Sequence, residues 1–439
     1  MEMNFESTVP YPDNEQSELD RDSSMEDDEY IGLPIQTIFS QFGSLVLNDD
    51  SIVLSKEQKN ALFCIARCKT GELGYNAERC TKCNKLIVHP RSCNNRSCPN
   101  CQYIEERQWV ELRKAEVIER IPYYHVVVTI PSELYPLASA NRSFFYTLLM
   151  KSAPDTLLEL CRSDDYGAFT PGIISVLHSW SSRMEFHPHV HMILSGGGLT
   201  SDKEFKEAPV KNENKFFIPE NVVAAKFRGK MIAGLQEAFS NPKIHLNLPS
   251  SPEGSLEDPQ KWKNFCNDLY NTKWVAYLKE TFNGNGNAID YLGRYVYRTA
   301  ISNSRIVSIT VDDEHPEGLV SFKYKDYKDE GKTKIETISG KEFIIRFLNH
   351  VLPKGFCRVR YSGLLSNACK QKNLKLIAKI QKKIYVVSVL KGKKKPAVLQ
   401  FFFGNVKNTC PCCGGELEYY GTLSKEFVET NTRSYEEAG

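Results

Sequence analysis

Seven of the chain's fourteen cysteines fall within residues 64–101: Cys64, Cys68, Cys80, Cys83, Cys93, Cys98 and Cys101. The stretch around them is poor in apolar residues and rich in Asn and Lys, so it cannot hold a core without a cross-link. The N-terminus is acidic rather than basic and then apolar, which does not read as a secretion signal. Dense cysteines in such a chain read as metal ligands rather than disulfides. Cys80/Cys83 and Cys98/Cys101 are two Cys-x2-Cys knuckles separated by fourteen residues. That is zinc-ribbon spacing, in which each knuckle offers two thiolates on a tight turn and two turns complete a tetrahedron. The expected structural Zn2+ ligands are Cys80, Cys83, Cys98 and Cys101, with Cys68 and Cys93 as further candidates. The leftover Cys64, Cys68 and Cys93 leave room for a second zinc completed by His89, or by Cys410/Cys413 of the distant "CPCCGG".

A second feature is "EFHPHVHMIL", residues 185–194. Successive strand side chains alternate between faces, so His187, His189 and His191 share one face and Val190, Met192 and Leu194 the other. "PGIISVLHSW" just upstream reads as a β-branched strand ending near His178. If "SSRMEF" is a hairpin loop, His178 joins the histidine face. Imidazoles gathered on a pleated surface form either a metal site or a satisfied polar patch.

The overall balance of 56 Lys/Arg against 54 Asp/Glu conceals a split. Residues 1–30 hold eleven acidic residues and the single base Arg21, which leaves 55 bases against 43 acids, net +12, in the rest. The arm reads as disordered, and the basic body suits a polyanion. A length of 439 residues gives ample core and two to four domains. No apolar run is long enough to span a bilayer, so a cytoplasmic protein without a membrane partner is expected. Strand, helix, two strands and a late helix fit an α+β domain on an antiparallel sheet. "NKFFIP" reads as a short strand, and "WKNFCNDLYNTKWVAYLKETF" reads as one helix.

In "DYLGRYVYRTAISNSR", Tyr291 and Tyr295 are spaced i, i+4 and stack on one helical face, while Tyr297 points elsewhere. Such pairs are usually core packing, but Arg294, Arg298 and Arg305 beside them suit a phosphate-facing surface. A phenol attacking a phosphodiester needs a metal or base nearby and neutralisation of the phosphate. A His-x-His metal site supplies that neutralisation.

His189-Val190-His191, then Tyr291/Tyr295 about a hundred residues on, and before both a cysteine module ending in "SCNNRSCPNCQ", together resemble the two-tyrosine HUH transposases of the bacterial insertion sequence 91 family. The likeness covers roughly residues 55–415 and includes "LHSWSSRMEFHPHVH", "YLGRYVYRTAISNSRI" and "CPCCGG". The resemblance implies a ferredoxin-like HUH nuclease core, an antiparallel sheet with helices, preceded by a zinc-ribbon-like module. It implies that His189 and His191 hold Mg2+ or Mn2+, with His178 as first choice for third ligand and His187 or Glu185 as alternatives. It further implies that Tyr291 and Tyr295 are nucleophiles forming 5′-phosphotyrosine links, and that the element moves as single-stranded DNA by a rolling-circle-like route. Arg294 and Arg298 become phosphate clamps, and "KGKKK" (391–395) reads either as a track for the DNA backbone or, more simply, as a solvated charge face. The expected division is an acidic arm (1–30), a zinc-binding domain (31–110), a catalytic domain (118–350) and a basic helical C-terminal region with a cysteine knuckle (351–439). The competing readings are a plasmid replication initiator or relaxase with the same chemistry, and a non-catalytic zinc-ribbon DNA-binding protein. A zinc hydrolase at the histidines lacks the helical His-Glu-x-x-His signature.

Overall fold

The computed structural model describes residues 34–209, 217–251, 254–281, 289, 293, 295–404 and 409–436. The acidic arm, Tyr291 and Arg294 lie outside the described residues. The chain opens with α1 (Pro34–Leu47) and α2 (Lys56–Ala66). Apolar residues at Ile35, Ile38, Phe39, Phe42 and Val46 give α1 one buried stripe. Ser55 and Gln58 close a capping box that starts α2. The strands β1 (Tyr75–Cys80) and β2 (Leu86–Pro90) and helix α3 (Tyr103–Lys114) follow.

The central unit comprises β3 (Tyr123–Thr129), α4 (Tyr135–Ala140), α5 (Arg142–Arg162), β4 (Thr170–Trp180), β5 (Phe186–Leu199), β6 (Phe205–Glu207), α6 (Glu220–Ser240), the two-residue strands β7 (Ser250–Ser251) and β8 (Gly254–Ser255), α7 (Pro259–Asn271) and β9 (Val275–Thr281). Four strands run in the order β4-β5-β3-β9, every pair antiparallel, and α5 and α6 pack together on one face. That order and the β-α-β-β-α-β succession are the ferredoxin-like arrangement expected from the sequence.

Alternation fixes the register. Val190, Met192 and Leu194 of β5 are buried with Val126 and Val128 of β3 in the core under the two helices. Each such side chain contributes about 1.5–3 kcal/mol of burial, and a one-residue slip would turn all of them onto the histidine face.

The reading of residues 262–282 as one helix is corrected. Asp258 caps α7, which stops at Asn271, and β9 forms the edge of the main sheet beside β3. From Trp274 the apolar period changes from helical to alternating. Trp274, Ala276 and Leu278 face the helix-covered core. In "NKFFIP", Phe217 and Ile218 are buried core residues outside any strand, and Asn214 to Phe216 lie outside the described residues.

The remaining elements are β10 (Ile306–Thr310), β11 (Leu319–Asp326), β12 (Lys332–Ser339), α8 (Gly340–Leu348), β13 (Val359–Gly363), α9 (Lys370–Ile380), α10 (Lys395–Phe403), β14 (Leu417–Leu423) and α11 (Lys425–Glu436). The sheet β10-β11-β12 and α8 share a core with α1 and α2, in which Phe39 meets Phe347 edge-to-face at 5.1 Å. The segment from residue 351 is not a separate helical region. β13 pairs with β4 in the main sheet, and β14 pairs with β1 near the N-terminus. Among the described residues no helix is long and apolar enough to cross a membrane.

Candidate metal centre and zinc module

The pairing of β4 with β5 puts His178 directly opposite His189 and Val176 opposite His191. The loop between them closes where Ser181 N–H donates to the Glu185 carbonyl at 3.0 Å. His178, His189 and His191 converge, with ligand nitrogens within 4.8 Å of one another. His178 and His191 are buried and His189 is half-buried.

The outer nitrogen of each ring is committed, which orients the inner one. His189 Nδ1 lies 2.7 Å from the His187 carbonyl, which only accepts, so Nδ1 carries the proton and Nε2 keeps its lone pair. His178 Nε2–H donates to the Tyr295 carbonyl at 2.7 Å, leaving Nδ1 as the lone-pair nitrogen. His191 Nε2 sits 3.0 Å from His189 Nε2, and its Nδ1 faces His125 Nε2 at 2.9 Å. Burial pushes His189 down to about 4 and holds His178 and His191 well below the ordinary histidine range. Neighbouring imidazoles add to this for the last two, as do the charges of Arg358 and Arg298 at His178 and of Arg298 at His191. Three neutral, oriented imidazoles on one sheet face are a donor set that fits a divalent cation.

Tyr295 is 5% exposed, and its ring stacks on His191 with centroids 4.2 Å apart. Residues 289, 293, 295 and 296 are helical, in keeping with the helical spacing read from the sequence. Tyr297 is half-buried against the same apolar cluster that holds Tyr295, and burial raises its phenol to about 12. The two alternatives for third ligand fall outside the convergent set, although the His187 ring lies 5.1 Å from that of His189. His187 Nδ1 meets the Tyr135 hydroxyl at 2.5 Å, and exposed Glu185 lies 3.7 Å from Arg183. Arg305 spends its guanidinium on the carbonyls of Lys323, at 2.8 Å, and Ser182, so it braces the histidine hairpin rather than opening onto a phosphate. Sequence reasoning missed His125. The alternation of "YYHVVVTI" was the available signal, since it sends Tyr124, Val126 and Val128 one way and His125 the other.

The cysteines form two clusters, and neither is the expected one. Cys98 and Cys101 join Cys68 and Cys93, whereas Cys80 and Cys83 join Cys410 and Cys413. The four-thiolate set Cys80, Cys83, Cys98 and Cys101 is therefore corrected. β1 and β2 form a hairpin that carries the first knuckle away from the second. Within the first cluster Cys68 and Cys101 sulfurs are 3.5 Å apart and Cys93 and Cys101 sulfurs 3.7 Å. A tetrahedron with Zn–S near 2.3 Å has edges of roughly 3.8 Å, so the thiols fit that ion. Neighbouring thiols hold Cys101 well below the ordinary cysteine range, the Cys68 contact foremost. Cys64 contacts Asn60 instead, and exposed His89 lies 3.5 Å from Glu78.

The ferredoxin-like sheet thus bears three convergent histidines and is joined to a cysteine-rich module. Two family models match the chain: a putative transposase over residues 172–373 and a transposase zinc-binding domain over residues 38–130. Putative transposase y4qJ of Sinorhizobium fredii is 33% identical over 343 residues, spanning 78% of this chain and 83% of that protein. The transposase for insertion sequence element IS801 of Pseudomonas savastanoi pv. phaseolicola is 27% identical over 303 residues, 68% of each chain. A solved conjugative relaxase, TrwC in complex with oriT DNA, aligns at 12% identity with a TM-score of 0.21, covering 60% of this chain and 71% of that one. The chain belongs to the insertion sequence 91 family of transposases and has an N-terminal zinc-binding domain.

Proposed function

We propose that this transposase nicks and rejoins single-stranded DNA through 5′-phosphotyrosine intermediates during rolling-circle-type transposition. The observation that carries the reading is the packing of Tyr295 onto His191 beside the three convergent imidazoles. His178, His189 and His191 are the proposed ligands of Mg2+ or Mn2+. A cation bound there supplies Lewis-acid polarisation of the scissile phosphate. Tyr295 is one nucleophile: its phenolic oxygen bonds to phosphorus, the P–O3′ bond breaks, and the 3′-hydroxyl leaves with a proton. Tyr291 is the second, so that two covalently held strands are handled in sequence. The link conserves the energy of the phosphodiester, and no nucleotide cofactor is needed. Arg298 is the proposed phosphate contact, by its place three residues after Tyr295. Arg294 shares that role by its place in the sequence. We place the protein in the bacterial cytoplasm, on the nucleoid.

The test is covalent trapping. The protein is incubated with Mn2+ and a single-stranded oligonucleotide carrying the element's own end, then run on denaturing gels. The expected result is a metal-dependent adduct that is absent in Tyr291→Phe/Tyr295→Phe and in His189→Ala/His191→Ala. Tyr295→Phe alone is expected to lower its rate by at least about 100-fold. Binding without any adduct, with metal and the correct end present, would leave a zinc-dependent DNA-binding protein. Cleavage at an origin of replication or transfer but not at element ends would point to an initiator or relaxase.

A further inference from the structure

The second cysteine cluster brings together residues 330 positions apart in the chain. Cys80 and Cys413 sulfurs lie 3.5 Å apart, and Cys83 and Cys410 sulfurs 3.7 Å. These are again close to the edge of a zinc–thiolate tetrahedron. The two knuckles have one local geometry. Asn84 N–H donates to the Cys80 carbonyl at 3.0 Å, and Gly414 N–H donates to the Cys410 carbonyl at 2.8 Å. Cys80 N–H donates to the Lys85 carbonyl at 2.9 Å, and Cys410 N–H donates to the Gly415 carbonyl at 2.7 Å. Asn84 and Gly414, each just after the second cysteine, hold left-handed φ values of 60° and 69°.

Two more facts point to a bound ion. Backbone N–H groups of Cys83 and Lys82 each reach Cys80 Sγ at 3.4 Å, the arrangement that stabilises a knuckle thiolate. The sheet β14-β1-β2 also has little core: Cys80, Cys410 and Leu417 form a small buried cluster with Ile87 and Cys413 half-buried against it, and Ala77 of β1 is buried besides. Tyr419 and Tyr420 of β14 remain exposed. A segment with so little apolar burial needs a staple, and four facing thiols are the means at hand.

We infer that Cys80, Cys83, Cys410 and Cys413 bind a second, structural Zn2+ that clasps the C-terminal segment to the zinc-binding domain. The ribbon read from the N-terminal spacing thus exists, but its second knuckle comes from the far end of the chain. Half of its ligands lie beyond the residues 38–130 that match the zinc-binding family. Docking of β14 and α11 then depends on metal, supplemented by strand pairing and the ion pair between Lys425 and Glu72.

The test uses the full chain. Metal content by plasma mass spectrometry is expected to be two zinc equivalents. Cys410→Ser/Cys413→Ser is expected to hold one, while Cys410→Ser/Cys413→His regains part of the second. In the native protein, maleimide labelling mapped by mass spectrometry carries its own control. Exposed Cys412 sits between the ligands but outside the cluster, so it should label at once. Exposed Cys83 should resist labelling together with Cys80, Cys410 and Cys413 until a chelator is added, and then all four should react together. One zinc in the native chain, or Cys83 labelling as fast as Cys412 with zinc bound, would overturn the clasp. If the one remaining zinc protects Cys68, Cys93, Cys98 and Cys101, the zinc-binding domain stands and the clasp alone has failed; no zinc at all would remove both.

Discussion

His125 shows how much depends on a side chain that touches no proposed substrate. It holds the outer nitrogen of His191 at 2.9 Å and lies on the neighbouring strand β3. Partners of this kind fix ring orientation, and their loss costs about 10- to 100-fold in metal affinity. His125→Phe is therefore expected to raise the Mn2+ concentration for half-maximal cleavage by that factor, with activity recovering at saturating metal. An unchanged metal dependence would show that His125 is packing alone. His350 reports on the same hairpin from behind. Its Nε2–H donates to the Met184 carbonyl at 2.9 Å, and Ser179 Oγ lies 3.1 Å from its Nδ1. Burial pushes it down to about 4, and Arg142 acts the same way. The unfolded chain, with a histidine near 6.5, then takes up the proton first, so stability is lost as pH falls from about 6.5 through 4. The loss is on the order of 3 kcal/mol. Between pH 7 and 5 the thermal midpoint of the native protein should fall further than that of His350→Gln; parallel curves would refute the assignment.

The hairpin β4–β5 is the element on which the site is built. Its short loop made the adjacency of His178 and His189 legible, because two strands so connected can only lie side by side. Its other end is pinned by glycine. A Cβ on Gly198 would lie 2.0 Å from the Thr170 carbonyl oxygen, a backbone atom that cannot give way cheaply. Gly198→Ala is expected to cost about 2–3 kcal/mol, read as a lower denaturant midpoint. A neutral outcome would mean that the strand end shifts freely. Arg183 fastens the loop from the other side, its guanidinium bonded to both Glu336 carboxylate oxygens at 2.8 Å. That tie to β12 had no sequence signal, since 153 residues separate the partners.

The basic body and the proposed single-stranded substrate together lead us to expect an electrostatic grip on DNA. Affinity for a single strand should fall linearly in log–log form with salt, with a slope of about 0.7 per phosphate neutralised. Arg298→Gln is expected to reduce that slope by about one such step and leave sequence preference alone. An unchanged slope would take Arg298 off the binding surface. The chain does not fold as beads on a string. Strands from beyond residue 351 complete the main sheet at β13 and the cysteine sheet at β14, where residues 417–423 pair with residues 75–80.

What could be read in advance was whatever short-range order encodes: the alternation that sorts β5 into a histidine face and an apolar face, the helical stripe of α1, the two-residue gap of each cysteine knuckle, and the family likeness carried by their succession. Local periodicity and turn chemistry act over a few residues, and they hold wherever the segment ends up. Partner choice does not work that way. Cys80 is equally spaced for a ribbon whether it closes with Cys98 or with Cys413, and Tyr295 reaches the histidines only because the chain returns across the sheet face after more than a hundred residues. Those pairings were settled by packing: the hairpin that points the first knuckle away from the second, the strand β14 that fills the edge of β1, and the helix-covered core that leaves the opposite sheet face for the imidazoles.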